Sequence, residues 1–270
     1  MRNILCVTLI ALLGGCTSTS VTEKYQDKRN DIINVKDKVI EFETGNVLIG
    51  SVSRLYMSNK CLLIADHKSV DKQIHIFNKN DFSYLTSIGN FGEGPEEITV
   101  MGCLAIDEAH HQLYVSDHAK QKIFSYDMDS VMVDSLYKPQ VKTAMNETLF
   151  PSEYQYINDT LSIAVLIKPT STSTFNQFLG RWNMNTGEMI PMKYTHPDIQ
   201  KKRITFAASE KAGIYVECYT RHDLMTICSL DGELLYNIYG PDWDGGNGNK
   251  LQSFGTVMIG NDKILSLIHI

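Results

Sequence analysis

Two dipeptides, Asp66-His67 and Asp117-His118, recur fifty-one residues apart, each closing an apolar run ("LLIAD" and "LYVSD"). Arg221-His222-Asp223 follows a third such run, three residues out of register. Imidazole nitrogens gathered on one rim are the ligands that ring-shaped sites offer to zinc and similar divalent ions. The same pattern has a structural reading, in which the aspartates accept hydrogen bonds from turn backbone and the histidines stand in solvent. Trp243, inside the glycine-rich "YGPDWDGGNGN", could stack on a sugar or a peptide, whereas Trp182 lies mid-run like a core residue. Asp66, His67, Asp117, His118, Arg221, His222 and Trp243 are therefore the candidate ligand-binding residues. No catalytic residue is nominated, because the sequence holds no GxSxG, HExxH or Cys/His nucleophile pattern. His110-His111 falls in a tight turn and reads as solvent-facing.

The stretch "IGNFGEGPEE" (Ile88 to Glu97) raises a different chemistry, that of a phosphate cradle. Gly92-Glu93-Gly94-Pro95 does not complete GxGxxG, and no lysine sits where a P-loop places one. A strand-like run follows it, so no helix N-terminus offers amides to an anion. Its echo near Gly240 marks it as a connector in which glycine supplies positive φ and proline pre-sets the turn. Glu96 and Glu97 could line a binding face there, but have no identifiable partner for acid–base work.

These residues must be held by β-structure. Helical periodicity is almost absent, and short runs of Ile, Val, Tyr and Phe alternate with Asp, Asn and Gly turns. "KCLLIAD", "HQLYVSD", "DTLSIAV", "AGIYVEC" and "NDKIL" recur along the chain; anchored on Leu62, Leu113, Leu161, Ile214 and Ile264, they are 51, 48, 53 and 50 residues apart. Within each copy a strand precedes the anchor strand, and a third ("QIHIFN", "KIFSYD", "FLGRWN", "MTICSL") and a fourth follow. The expected fold class is all-β, a β-propeller of four-stranded antiparallel blades whose apolar faces only neighbouring blades can cover.

"IGNFGEGPEEITVMGCLAIDEAHHQLYVSDHAKQKIFSYD" (Ile88 to Asp127) resembles an NHL-type blade, and the whole is similar to the six-bladed, TolB-like propeller lipoproteins of Bacteroidota. The resemblance covers Val39 to Ile264; the third copy departs from it, with a Thr/Ser-rich insertion at Thr170 to Thr174 and no glycine loop before it. It implies a ring of six blades when complete, truncated here to about four and a part, with open apolar faces. Val39-Ile40-Glu41-Phe42 would then be an outer strand lacking its partner blade. The fold analogy leaves two functions open. One is a binding or assembly module whose rim holds a peptide, glycan or protein, with no resident cofactor. The other is an enzyme, a lactonase-like hydrolase or lyase with a divalent ion in the channel. An enzyme should converge acidic or His side chains on the axis, and the inner strands offer Asp107 alone.

The formal charge of −6, without a basic stripe, points away from nucleic acid, and 43% hydrophobic residues can build a sizeable core. Cys61, Cys103, Cys218 and Cys228 form no CxxC pair; three disulfide pairings are conceivable, and buried free thiols are the simpler expectation. At the start, Arg2 precedes the apolar run Ile4 to Leu13, and Leu13-Gly14-Gly15-Cys16 resembles a bacterial lipobox. The expected organisation is a signal peptide at 1–15, a lipidated tether at 16–36, a partial propeller at 37–264, and a tail at 265–270. One back-translation of Leu265 to Ile270 resembles the transposase end sequence of sequencing libraries, which makes that tail a candidate non-native adapter; the alternative is a genuine hydrophobic last strand. The partners implied are the membrane, through a lipid on Cys16, and an unidentified protein, peptide or glycan. Replacing Cys16 (Cys16→Ser) is expected to move the protein from the detergent phase to the aqueous phase in a phase-partition assay and to abolish labelling by a palmitate analogue.

Overall fold

The computed structural model describes residues 21–29, 31–199, 203–248, 254–260 and 263–267. A three-residue strand, β1 (Glu23–Tyr25), precedes four antiparallel sheets. Blade I is β2 (Ser53–Met57), β3 (Cys61–Asp66), β4 (Lys72–Asn78) and β5 (Tyr84–Asn90). Blade II is β6 (Met101–Asp107), β7 (Gln112–Asp117), β8 (Lys122–Asp127) and β9 (Gln140–Ala144). Blade III is β10 (Phe150–Asn158), β11 (Leu161–Pro169), β12 (Phe175–Trp182) and β13 (Met189–Pro191). Blade IV is β14 (Ile204–Ser209), β15 (Ile214–Tyr219), β16 (Leu224–Ser229) and β17 (Leu234–Tyr239). A fifth begins as the hairpin β18 (Val257–Gly260) and β19 (Lys263–Ser266). Within every blade the four strands lie in chain order, which is the meander of a propeller blade.

Alternation along the second strand of each blade sends successive side chains to opposite neighbours. On β7, Leu113 and Val115 pack toward blade I and Tyr114 toward blade III. On β15, Tyr215 and Tyr219 face blade III while Val216 and Cys218 face the fifth hairpin. Both faces are thus apolar, and β3 is buried along its whole length. Trp182 is fully buried, edge-on to Tyr154. The four cysteines are free and buried, and burial pushes the Cys103 thiol up to about 12.

Three features differ from the sequence expectations. The stretch expected to be tether, 16–36, contains β1, which adds in parallel to the outer edge of β17. Tyr25 stacks on Tyr239, Glu23 accepts from the Tyr239 hydroxyl at 2.5 Å, and Arg29 pairs with Asp223. An open strand edge recruits partners through backbone groups, so this segment needs no apolar run to order it. Val39 to Phe42 forms no strand. Instead Phe42 stacks on Phe82 and, with Val47 and Ile49, covers the free face of blade I over Leu62, Ile64 and Phe77. A six-residue helix, α1 (Met128–Val133), interrupts blade II between β8 and β9; Asp127 caps it by accepting from Ser130 N at 2.7 Å.

The anchor spacing also needs one correction. Leu62, Leu113 and Ile264 lie on the face toward the preceding blade, but Leu161 and Ile214 pack toward the following one. Cross-strand pairing gives Leu62, Leu113, Ser162, Tyr215 and Ile264 as the equivalent set, partnered by Met57, Ile106, Tyr156, Ala208 and Ile259.

The glycine loop between blades I and II is a connector held from inside. Lys120 Nζ donates to the carbonyls of Gly94 and Glu97, both at 2.6 Å, and to that of Gly92 at 3.3 Å. Glu97 folds back to accept from Gly94 N at 2.7 Å, and a Cβ on Gly92 would collide with its carboxylate. Asp117, fully buried, accepts from the amides of Thr99, Val100, Ala119 and Lys120 at 2.8–3.2 Å. Truncating it (Asp117→Ala) strands these amides and is expected to cost about 2–4 kcal/mol, read as a lower urea midpoint with unchanged m value.

Candidate functional site

The turns after the second strands and the connectors between blades share one rim, because strand direction reverses at every hairpin. There, each Asp-His pair divides its work. Asp66 accepts from Gly50 N at 2.7 Å and Lys68 N at 2.9 Å, as Asp117 does from its own four amides. The carboxylates tie each turn to the chain entering the same blade. The histidines cross to the next blade. His67 Nδ1 lies 3.2 Å from the Met101 carbonyl on β6, so this nitrogen carries the proton and Nε2 keeps a lone pair. His118 lies against the Pro151 backbone of β10 and edge-on to Phe150, its rings centred 5.8 Å apart. Its ring passes over Gly102, where a Cβ would stand 2.5 Å from His118 Nε2.

Neither Nε2 has a hydrogen-bond partner among the described residues, and both atoms are buried. The two rings sense one another: His67 disfavours charge on His118. Arg54 of β2 acts on His67 in the same way, and reaches Glu153 of β10 at 2.7 Å, bridging the inner strands of blades I and III. The His67 acceptor, a second buried imidazole nitrogen on His118, and the Arg54–Glu153 bridge therefore lie on one rim beside the inner strands. The sequence flagged the histidines but expected one alternative to leave them in solvent. Arg54 and Glu153 carried no signal, since each is a single charge in a strand.

The remaining candidates gather elsewhere. His222 is buried against Trp243, with ring centres 6.1 Å apart, and Trp243 also meets Tyr239 at 4.9 Å and His196 at 5.7 Å. Trp243 is thus part of an aromatic cluster over blade IV rather than an open platform. Arg221 is exposed beside it. Asp223 is buried, accepting from Asp242 N at 2.9 Å, and Gly240 leaves room for its carboxylate. The ring of three imidazoles is not formed: among the described residues no three His, Cys, Asp or Glu side chains come together closely enough to hold a metal ion. Asp107 faces the opposite rim, accepting from Ala109 N, His110 N and His110 Nδ1 in its own turn. His110 and His111 are exposed there, as expected. Cys16 and the residues from Ile268 onward lie outside the described residues, and among the described ones no helix is long and apolar enough to cross a membrane.

Four-stranded antiparallel meanders repeated in series, each packed on the next, define a β-propeller. The chain belongs to the family described as "6-bladed beta-propeller", whose model matches residues 17–180. Among solved structures it is similar to an exported protein of Bacteroides fragilis, at 15% identity and a TM-score of 0.52, over 81% of this chain and 60% of that one. It is also similar to a protein of Bacteroides vulgatus, at 10% identity and a TM-score of 0.47, over 67% of this chain and 56% of the other. The chain thus spans about 60% of the length of these relatives. A search of curated proteins gave no match.

Burial holds His67, His75, His118 and His222 below the ordinary imidazole value of 6.5, outweighing nearby carbonyls and carboxylates. The unfolded chain therefore takes up protons that the folded one refuses, and stability must fall as pH drops below about 6.5. Exposed His110 is raised by Asp107 and opposes this weakly. The melting temperature is expected to decline between pH 7.5 and 5.5, less steeply in a His67→Gln, His118→Gln variant; a flat or rising profile contradicts the assignment.

Proposed function

We propose that this chain is part of a cell-envelope binding module, anchored through a lipid on Cys16, whose channel mouth between blades I and III holds a polar partner. The single observation that carries this reading is the pair of buried, unpartnered Nε2 atoms of His67 and His118 beside the Arg54–Glu153 bridge. A buried acceptor left without a donor is costly, and a ligand supplying hydroxyl or amide donors relieves that cost. Arg54 and Glu153 would supply the complementary donors and acceptor, so a glycan or an extended peptide fits the chemistry. The name "Putative exported protein" carried by the Bacteroides fragilis structure supports an envelope location. The enzymatic alternative needs convergent metal ligands on the axis, and no observation favours it over binding.

The test is retention of the full-length protein on glycan and peptide arrays. A His67→Gln, His118→Gln variant, checked to be folded at pH 7.5 by its far-UV circular dichroism and a cooperative melt, is expected to lose about tenfold or more of the affinity for whichever probe is retained. Undiminished retention by that variant would overturn the reading.

A further inference from the structure

The opposite rim carries a second recess, in the seam between blades I and II. It is a cleft of about 360 Å³, floored by Cys61, Leu63 and Ile106 and overhung by Met128 and Met132 of α1. Its origin lies in one repeated contact. The residue after each equivalent anchor shares an apolar cluster with the residue that partners the next anchor on the next blade's inner strand. These pairs are Leu63 with Ile106, Tyr114 with Tyr156, Ile163 with Ala208, and Val216 with Ile259. At the blade II–III seam the pair is two tyrosines, with ring centres 5.2 Å apart, which fill the space. At the III–IV seam the adjacent Leu161 packs in. The I–II seam has aliphatic residues at both positions and the small Cys61 where blade III has Leu161.

The cleft is more than a packing gap because the chain adds material around it. The connections between the third and fourth strands of blades I, III and IV are tight turns. In blade II the same connection runs from residue 128 to 139 and begins with α1, which supplies the lip. Two flexible thioethers there can adapt to an occupant. The volume sits at the lower end of the range for small-molecule sites, about 300–1,000 Å³. Its rim is acidic. Glu108 and Asp129 are exposed, each with one oxygen engaged, Glu108 accepting from Asn59 N at 2.7 Å and Asp129 lying 2.8 Å from His111 Nδ1, and Asp107 is buried in its turn; Lys60 and His111 are the basic residues of the lining.

We propose that this cleft is a binding site for a small amphiphilic cation, an apolar body bearing a protonated amine, with the body between Leu63, Ile106 and the two methionines and the amine at Glu108 and Asp129. The cleft lies on the rim away from His67 and His118, so it stands or falls independently of the channel-mouth site. Apolar floor and acidic lip together select for charge sign, since the matched carboxylic acid meets the same floor and a repulsive lip.

Binding of phenethylamine and of 3-phenylpropionate to the full-length protein, followed by ligand-detected NMR titration at pH 7.5, tests this. Saturable binding of the amine, at least about tenfold tighter than the acid, is expected. In Glu108→Gln, Asp129→Asn the preference should collapse to within about threefold, because one charge-assisted contact accounts for it. Leu63→Tyr, which copies the aromatic of blade II, should abolish amine binding by filling the floor. Met132→Trp on the partly exposed lip should do so without touching the core, and serves if Leu63→Tyr does not fold. Failure of the amine to saturate, equal binding of the acid, or wild-type binding by Met132→Trp would each overturn the proposal.

Discussion

The fold depends on one contact, the meeting of alternate side chains of each blade's second strand with the inner strand of the next blade. Leu63, Tyr114, Ile163 and Val216 occupy that place in turn, and all are buried. A four-stranded sheet with two apolar faces has no stable existence in water alone, so each blade is folded by its neighbours. The largest side chains lie at these seams: Trp182 and Tyr154 between II and III, Tyr215 and Tyr219 between III and IV. Removing one such ring would open two blades to solvent at once, which couples local packing to the whole array.

Polar groups serve this contact from the rim. Asp66 and Asp117 fix where each blade starts, and His67 and His118 reach the following one, so each dipeptide links incoming chain, own blade and next blade. Gly102 permits the crossing because any side chain there would strike the His118 ring. The outer edge has a different solution. β17 is capped by β1, whose Glu23 also accepts from Asn237 Nδ2 at 3.1 Å, and the free face of blade I is covered by Phe42, Val47 and Ile49. Segments upstream of the first blade thereby shield an edge and a face that would otherwise invite aggregation.

The strands were legible because their apolar runs end in Asp, Asn and Gly turns that few other structures require. Register was less so. Strands buried on both faces lose the polar alternation that reveals which side faces where, so Leu161 and Ile214 were aligned one residue away from their true equivalents. β1 was invisible because Glu23, Lys24 and Tyr25 are ordered by the edge they join, and α1 because six residues hold too few turns to show a period. At the rim, the Asx role of Asp66 and Asp117 could be read locally. The burial of the histidines could not, because it depends on Met101 and Pro151, more than thirty residues downstream of His67 and His118 respectively, and on Gly102, sixteen residues before His118.

Why functional groups should collect at the two rims follows from the same contact. Blade faces are largely consumed by packing, and a polar side chain there, as at Thr226 and Asn237, must find a hydrogen-bond partner within the sheet. Only the ends of strands, and gaps in a seam, can change without unseating the ring. The Asp-His dipeptides show the first route, where a residue just past a strand acquires a polar role while the strand stays apolar. The Leu63–Ile106 seam shows the second: two rings become two aliphatic side chains, closure survives through the remaining contacts, and a recess opens at a position set by the repeat. Polar and open sites in this chain are therefore constrained to strand ends and to places where the repeat is broken, and α1, the one helix of the described blades, stands over such a break.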